Sequence, residues 1–537
     1  MTDALPRGPF VARRAAVAAP HRLAAAAGLR ILTEGGNAVD AMVACNAALG
    51  VVYPHMTGPG GDAFWLIYDA VSRRAFALNA SGRAGAGATR EAYLGDGARM
   101  IAPRGPRAAL TVPGAVDGWA QSNSRFGTLP LRACLAPAIQ YARDGYPVSR
   151  GQARWTRSHH DLLAAYPSTA RVFLKPDGAP YEVGDLFHNP LLAATLEAIG
   201  DGGRDAFYTG AIADAVGAFL QRHGGVLTTD DFAHHTSEWQ DPIAVRYRGR
   251  LAINLPPNSQ GFTALQILGI LDHLDVRGTV DDPLRYVDLM VRATALAFED
   301  RDQYLTDPTF SHIPLDRLLS EPYLAERAAL MGRRTSAEAI TPAPRVAGDT
   351  TFSCCVDAAG NAVGVIQSLY FEWGSGVVAG DTGLLLQNRG TFFSLDPEHH
   401  NRLEPGKRTF HTLTAAMLLG EGGSPSLVYG AMGGEGQPQT QAAIATRVVD
   451  HDLDVQAAVD APRWLFGRTW GEEYRGLRLE GRFGESAVAG LRARGHERVS
   501  LVDGWDELMG HAQAIQVFAD RVEAAADPRS DGAALGF

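Results

Sequence analysis

Residues 348–370, GDTTFSCCVDAAGNAVGVIQSLY, constrain the fold of this chain more than any other segment. Residues 351–356 have the composition of a strand, and residues 357–361 (DAAGN) supply the Asp, Gly and Asn that favour a reversal. Residues 362–370 then return as a second apolar strand. The segment therefore predicts an antiparallel β-hairpin.

The register of this hairpin brings two hydroxyl groups together. If Val356 faces Ala362, Thr350 lies directly opposite Ser368, at about 5 Å between Cβ atoms. The two hydroxyls would then meet at the beginning of a strand. Taken alone, Thr350 and Thr351 are also typical of an ordinary β-branched strand start, and the segment by itself favours that interpretation.

A change of composition precedes the hairpin. Residues 335–349, TSAEAITPAPRVAGD, contain two prolines and many small residues without any period, which is typical of a linker. The chain has 537 residues, about three domains by length alone, so this linker reads as a domain boundary. The remaining pattern predicts helices over residues 21–34, from Asn37, within 110–220 and over 262–300. It predicts strands over 64–69 and 74–80 and a hairpin over 242–255. The half of the chain after the linker is predicted to be rich in strands.

The charge balance excludes several partners. The net charge is −10 and the pI about 5.9, whereas general nucleic-acid binders and proteins that dock on anionic membranes carry a basic excess. The sequence contains no run of about 18 apolar residues, so it predicts no membrane-spanning helix. The alanine-rich N-terminal stretch is interrupted by Pro20, His21 and Arg22, which does not suit a signal peptide, so we expect a cytoplasmic protein.

Common motifs for cofactors and metals are missing. The sequence lacks the glycine-rich dinucleotide and phosphate loops, the esterase elbow, the zincin helix and a C-x-x-C pair. Adjacent histidines at 159–160, 234–235 and 399–400 point to different faces and chelate poorly. Cys354 and Cys355 would face opposite sides of a strand as inert buried thiols. We expect neither a metal nor an organic cofactor.

Several blocks in a fixed order resemble the γ-glutamyltransferase superfamily, a branch of the N-terminal nucleophile hydrolases. The resemblance covers nearly the whole chain and is most specific in the second half. The blocks are AAAAGLRILTEGGNAVDAMVACNAALGVVYPHMTGPGGDAFWLIYD, TVPGAVDGW, LPPNSQG, GDTTFSCCVDAAGNAV, GSGVVAGDTGLLLQNRG, KRTFHTL, MGGEGQPQTQ, APRW and ADPRSDGAALGF.

The resemblance implies a precursor that cuts itself between Asp349 and Thr350. Residues 1–349 would become a large subunit and residues 350–537 a small one, together forming one folded body rather than separate domains. The implied fold is α+β, with two antiparallel sheets between helical layers (αββα). The implied assembly is a heterodimer of the two cleaved chains, or a pair of such heterodimers.

The same resemblance assigns catalytic roles. Thr350 would be the nucleophile, and its freed α-amine, with an unperturbed pKa of about 7.7–8, can serve as the base near neutral pH. Ser368 matches the second hydroxyl that supports the nucleophile. Gly433 and Gly434 match the glycines whose amides form the oxyanion hole; a tight turn is the alternative interpretation.

The binding residues depart from those of true transpeptidases. Where the family places an acidic residue for the substrate ammonium, this chain has Phe392. A short polar residue two places beyond Ser368 is replaced by Tyr370. The serine pair that binds the carboxylate falls on His411 and Thr412. An amino group on the acyl part of the substrate is therefore not expected.

The cationic residues suggest which acyl group the site would bind in place of a glutamyl group. The family's carboxylate-binding arginine falls on Ser81, with Arg83 two places on. Arg83, Arg389 and His411 favour an anionic acyl group without a nearby amine. Each arginine could equally be a structural salt-bridge partner.

The motifs QNRG, FHTL, MGGEGQPQTQ and GRTWG are most similar to those of the oxamate amidohydrolase and acylase-like branch. We therefore expect hydrolysis of the C–N amide bond of a small carboxylate-bearing amide such as oxamate, through an acyl-enzyme. Alternatives are a γ-glutamyltransferase or glutathione hydrolase, a cephalosporin-acylase-like amidase, and an unprocessed binding protein without activity. The aromatic residues that could line a small or a large pocket, or simply pack in the core, are Tyr370, Phe371, Trp373, Phe392 and Phe393.

Overall fold

The structure, a computed structural model, describes residues 7–95, 97, 99–331, 349–467 and 476–537. The predicted linker lies outside the described residues except for Asp349, the first residue of a strand. Most of the GRTWG block also lies outside them.

Helices occupy much of the chain before the hairpin and return near its end. Many of them fall within residues 110–220, the segment predicted to be mainly helical. In chain order they are α1 (Arg22–Thr33), α2 (Ala38–Val52), α3 (Arg90–Leu94), α4 (Ala115–Phe126), α5 (Leu131–Asp144), α6 (Arg150–Ser158), α7 (His160–Ala164), α8 (Pro167–Phe173), α9 (Pro190–Tyr208), α10 (Ala211–Arg222), α11 (Thr229–Ala233), α12 (Gly261–Asp272), α13 (Pro283–Tyr304), α14 (Leu315–Leu318), α15 (Glu321–Met331), α16 (Gly436–Val449), α17 (Val455–Asp460) and α18 (Glu485–Ala493).

Strands come from both sides of Thr350. In chain order they are β1 (Phe10–Ala12), β2 (Ala16–Ala19), β3 (Asp62–Asp69), β4 (Arg74–Ala80), β5 (Tyr146–Pro147), β6 (Leu186–Phe187), β7 (Glu238–Gln240), β8 (Ile243–Tyr247), β9 (Arg250–Asn254), β10 (Asp349–Val356), β11 (Ala362–Tyr370), β12 (Ala416–Leu419), β13 (Pro425–Ala431), β14 (Trp464–Gly467), β15 (Gly476–Glu480), β16 (Val499–Val502), β17 (Ala512–Val517), β18 (Val522–Ala526) and β19 (Ala533–Gly536).

Two seven-stranded antiparallel sheets form the centre. Sheet I has the order β19-β2-β10-β11-β3-β4-β7, and sheet II has the order β1-β18-β17-β13-β12-β9-β8. Each sheet combines strands that precede Thr350 with strands that follow it. The segments before and after the expected cleavage point are therefore built into the same two sheets.

Helices cover the outer face of each sheet. Helices α1, α2 and α4 pack on sheet I, and helices α12, α16 and α17 pack on sheet II. Phe64, Phe352, Ile366, Met417 and Val428 belong to a core between the two sheets. The layer order is αββα, which confirms the predicted fold class.

The predicted hairpin forms from β10 and β11. Val356 pairs with Ala362 and Thr351 with Gln367, in the register expected from the sequence. The ladder shifts between Asp349 and Thr351, so the Asp349–Thr350 peptide lies in an irregular stretch.

Helix α2 supports this hairpin from outside. Its first turn has a capping box, in which Asn37 accepts from the Asp40 amide and Asp40 accepts from the Asn37 amide. All its residues are buried, as expected of a helix with apolar residues on every side, and it packs against β10 and β11. Asn46 Nδ2 donates to Ser353 Oγ at 3.0 Å, which fixes the helix to the strand.

Cys354 and Cys355 face opposite sides of β10, as predicted. Cys354 packs between the sheets, and Cys355 packs toward the helices over sheet I. Burial raises the pKa of both thiols, which makes them poor nucleophiles. Among the described residues, no three His, Cys, Asp or Glu side chains are grouped to hold a metal ion. Of the helices described here, none combines the length and apolarity needed to cross a membrane.

Candidate active site

The hydroxyls of Thr350 and Ser368 meet in the structure. Thr350 Oγ1 donates to Ser368 Oγ at 3.2 Å, and both residues are fully buried. Ser368 Oγ also accepts from the Tyr370 amide at 2.7 Å, which fixes its position. On the other side of β11, Ser368 pairs with Asp62 of β3. The pair therefore lies inside sheet I rather than at its edge.

The chain leaves β11 through an irregular turn. Tyr370 has φ +85° and Trp373 has φ +62°, conformations that non-glycine residues adopt at a cost of about 1–3 kcal/mol. Asn388 accepts from the Phe371 amide at 3.0 Å. The turn brings Tyr370 to the short helical turn Arg389–Phe392.

Arg389 is a buried cation with few partners. Nη1 donates to Thr412 Oγ1 at 3.4 Å, while Nε and Nη2 have no hydrogen-bond partner among the residues that the structure describes. Its guanidinium carbon lies 4.1 Å from the ring centre of Tyr370 and 5.7 Å from that of Phe392. Burial lowers the pKa of Arg389 to about 10, even though Tyr370 and Asp62 raise it. The group remains charged at neutral pH.

Asp62 is the negative counterpart of this cation but does not pair with it directly. Its Oδ1 accepts from the amides of Gly82 and Gly114 and from Gln387 Nε2, at 3.0 to 3.1 Å. Its Oδ2 accepts from His411 Nε2 at 3.2 Å. Burial alone would raise the pKa of Asp62, but these partners and the nearby Arg389 charge lower it. Asp62 is therefore an ionised carboxylate that accepts hydrogen bonds at both oxygens.

His411 is neutral and has both ring nitrogens engaged. Nε2 donates to Asp62, and Nδ1 accepts from the Leu413 amide at 3.4 Å. Burial, followed by the charge of Arg389, lowers the pKa of His411 to about 3. Its ring therefore ties the segment around Thr412 to Asp62, and among the described contacts it has no nitrogen left for a substrate.

Gly433 and Gly434 form the turn between β13 and α16. Their φ angles are +127° and +55°, which suits glycine at both positions. Within the described ranges, neither amide donates a hydrogen bond. Gln260 Nε2 donates to the carbonyls of Gly434 and Thr412, at 3.0 and 2.7 Å, and so ties this turn to the segment beside Arg389.

Direct contacts thus connect most of the predicted site residues. In one buried group the structure joins the two hydroxyls, the glycine turn, and a wall formed by Tyr370, Phe392, Arg389 and Thr412. The sequence of contacts is Thr350, Ser368, Tyr370, Arg389, Thr412, Gln260 and Gly434.

Arg83 has different partners. Its Nη2 donates to Glu238 at 2.8 Å, and its Nη1 donates to Asp307 at 3.2 Å and to the Gly406 carbonyl at 3.0 Å. These contacts are those of a structural ion pair, which the sequence left open as the alternative.

Two polar residues of the site were not predicted. Asp62 stands in the block GPGGDAF and Gln260 in LPPNSQG, and the family resemblance alone assigns no role to either side chain. The available signal was a lone carboxylate at the start of the apolar strand AFWLIY. A charge at such a position is buried and needs partners.

Known proteins resemble this chain over almost its full length. The sequence profile of the family described as gamma-glutamyltranspeptidase matches residues 24–537. The "Glutathione hydrolase-like YwrD proenzyme" of Bacillus subtilis is 48% identical, over 97% of this chain and 98% of its own. The "Oxamate amidohydrolase proenzyme" of Klebsiella pneumoniae is 43% identical with the same coverages. The solved structure of cephalosporin acylase from Bacillus halodurans superposes with a TM-score of 0.91 at 35% identity, covering 100% of this chain and 98% of the acylase.

Proposed function

Because the chain belongs to the gamma-glutamyltranspeptidase family, we propose that it is an amidohydrolase that cleaves itself between Asp349 and Thr350. Cleavage divides the 537 residues into chains of 349 and 188 residues. The mixed strands of sheets I and II support a heterodimer, since neither product alone contains all the strands of either seven-stranded sheet. Pairing of two such heterodimers is part of the proposal.

Thr350 is the proposed nucleophile. After cleavage its α-amine takes the proton from Oγ1 while the oxygen attacks the carbonyl carbon of a substrate amide. The C–N bond breaks, the leaving amine carries away that proton, and water hydrolyses the resulting ester. Ser368, bonded to Oγ1 and held by the Tyr370 amide, fixes the direction of attack.

Gly433 and Gly434 are the proposed oxyanion hole. Amides without a partner among the described residues suit an oxygen that becomes negative only in the transition state. The link through Gln260 supports a fixed distance between this turn and the wall at Thr412. The oxyanion amides and the acyl-binding wall would thus act on the same substrate.

One observation carries the proposed substrate class. Arg389 is a fully buried guanidinium with two unbonded nitrogens in the described structure, and its ring neighbour Tyr370 contacts the hydroxyl pair. A carboxylate fits a planar guanidinium, and burial makes such a bond strong. We therefore propose a small amide with a carboxylate on its acyl side, such as oxamate.

The same wall disfavours a γ-glutamyl substrate. Phe392 stands where an ammonium-binding carboxylate is expected, and it packs against Tyr370 and Phe410. Asp62, the nearby carboxylate, already accepts four hydrogen bonds. In the described structure this carboxylate is thus already committed to donors within the fold, which argues against an α-amino group and against glutathione.

A larger acyl group is the second candidate. The aromatic cluster Tyr370, Phe371 and Phe392 offers apolar area, and the similar structure of a cephalosporin acylase favours this alternative. In that case the rings, rather than Arg389, would contribute most of the binding energy.

The test is a substrate panel on matched variants. The panel contains oxamate, glutathione, a γ-glutamyl anilide and a bulky acyl amide, assayed with wild type, Thr350→Ala and Thr351→Ala. Thr351 is an equally buried neighbour whose hydroxyl donates to the Gln367 carbonyl, so it controls for loss of a hydroxyl. We expect wild type and Thr351→Ala to give two bands on a denaturing gel and to hydrolyse oxamate, while Thr350→Ala stays full length and inactive. Hydrolysis by Thr350→Ala refutes the nucleophile, and preferential turnover of glutathione refutes the substrate class.

A further inference from the structure

The glycine turn at Gly433 rests directly on another loop. A Cβ atom on Gly433 would lie 3.2 Å from Gly510 Cα, and a Cβ atom on Gly510 would lie 2.0 Å from the Met432 carbonyl oxygen. The Met432 amide donates to the His511 carbonyl at 2.9 Å. The segment 509–512 therefore forms the back of the turn, with no room for a side chain at Gly510.

Arg463 fixes the segment 509–512 from the opposite side. Its Nη1 donates to the carbonyl oxygens of Gly510 at 2.8 Å and Met509 at 3.4 Å. Its Nη2 lies 2.6 Å from Asp527 Oδ2, and the same carboxylate oxygen accepts from the Ala512 amide at 2.7 Å. Arg463 and Asp527 are both buried. The two side chains thus hold both ends of the segment.

Resting on the proposed function, we propose that Arg463 is a positioning residue that sets the orientation of the Gly433 and Gly434 amides through the segment 509–512. It touches neither substrate nor nucleophile. Because a carbonyl oxygen becomes an oxyanion only in the transition state, a displaced turn lowers kcat and leaves ground-state binding at Arg389 intact.

Arg463→Lys tests the inference, with Arg447→Lys as the matched control. Lysine keeps the charge beside Asp527, but one ammonium cannot replace a guanidinium that bonds both Asp527 and Gly510. Arg447 is also buried and donates to the carbonyls of Ala458 and Pro462, but within the described structure it donates to no residue of the segment 509–512. Asp527→Asn is the second variant, which removes the ion pairs with Arg463 and Arg529 and keeps the side-chain shape.

The substrate is whichever amide of the panel wild type hydrolyses best, and kcat is expressed per cleaved chain. For Arg463→Lys we expect kcat to fall about tenfold or more, with KM within about twofold, because one oxyanion donor contributes about 10²–10³ in kcat. For Asp527→Asn we expect a smaller fall of the same kind. The control should keep both constants.

The inference is wrong if the Arg463 and Asp527 variants keep the kcat of the control, or if their loss lies in KM. The Asp527 variant decides the matter if Arg463→Lys does not fold. Neither result affects the nucleophile, which Thr350→Ala tests separately.

Discussion

Two buried arginines show how differently this molecule treats an interior charge. Arg529 donates to Glu480 through Nε and Nη2 and to Asp527 through Nη1. Burial lowers its pKa, but Asp527 and Glu480 raise it above the usual value. Arg389, in contrast, has one long hydrogen bond to Thr412 and two aromatic neighbours, Tyr370 and Phe392, and its pKa is lowered to about 10.

The difference separates a cation that is paired within the fold from one that we propose binds substrate. A buried charge is expensive unless it is paired, so the carboxylates around Arg529 satisfy it within the fold. Among the described residues, Arg389 has two ring faces, one threonine hydroxyl and the charge of Asp62, not directly paired with it, to compensate it. Under the proposed function, Arg389 is a desolvated cation that binds the substrate anion beside the Thr350–Ser368 pair.

The largest expected effect is on the structural side of this comparison. Arg529→Met leaves Glu480 and Asp527 buried with fewer partners, so the free energy of unfolding should fall by about 3–5 kcal/mol. Urea denaturation of the cleaved protein measures it. Arg389→Met, in the same experiment, should be neutral or stabilising because it removes an unpaired buried charge. Equal destabilisation by both variants would remove the distinction between the two arginines.

The next largest effect is on substrate binding. A charge-assisted hydrogen bond contributes about 1.5–3 kcal/mol, so Arg389→Met should lower kcat/KM for oxamate by about 10- to 100-fold. A neutral amide of similar size, propionamide, provides the control, because it makes no bond to the guanidinium. A parallel loss for both amides would show that Arg389 supports the fold of the site rather than the anion.

The sequence predicted the hairpin, its register and the layer order, because these follow from local patterning and ordered family blocks. Val356 opposite Ala362 was enough to bring Thr350 to Ser368. The sequence did not reveal that Arg83 forms ion pairs while Arg389 does not. That distinction depends on partners from distant segments, such as Glu238 for Arg83, which no local pattern encodes.

The two regions should also respond to acid in different pH ranges. The pKa of His411 is lowered to about 3, so between pH 6.5 and about 3 the unfolded chain binds the proton that the folded imidazole does not. Stability is therefore lost as pH falls through this range, by at most about 1.4 kcal/mol per pH unit from this one group. The pKa of Asp527 is lowered to about 2, so its contribution is lost only below about pH 4.

Urea denaturation between pH 4.5 and 6.5 distinguishes the two groups. His411→Asn should show a shallower loss of stability with falling pH than wild type, since one of the buried histidines no longer contributes. Asp527→Asn should shift the whole curve and keep the wild-type slope in this range. An unchanged slope in His411→Asn would mean that His411 is already protonated when folded.

The smallest expected effect tests the ring that covers Arg389. A cation–π contact contributes about 0.5–2 kcal/mol, so Tyr370→Leu should weaken oxamate binding by several-fold through poorer orientation of the guanidinium. Tyr370→Phe keeps the ring at the same backbone conformation and should remain much closer to wild type in KM.

The same pair of variants separates the two substrate candidates, because removing the ring leaves more space beside the wall. If Tyr370→Leu hydrolyses the bulky acyl amide faster while Tyr370→Phe does not, the ring restricts the acyl group to small anions. If instead Tyr370→Leu loses activity on the bulky amide and keeps it on oxamate, the aromatic cluster is the acyl-binding surface and Arg389 is secondary.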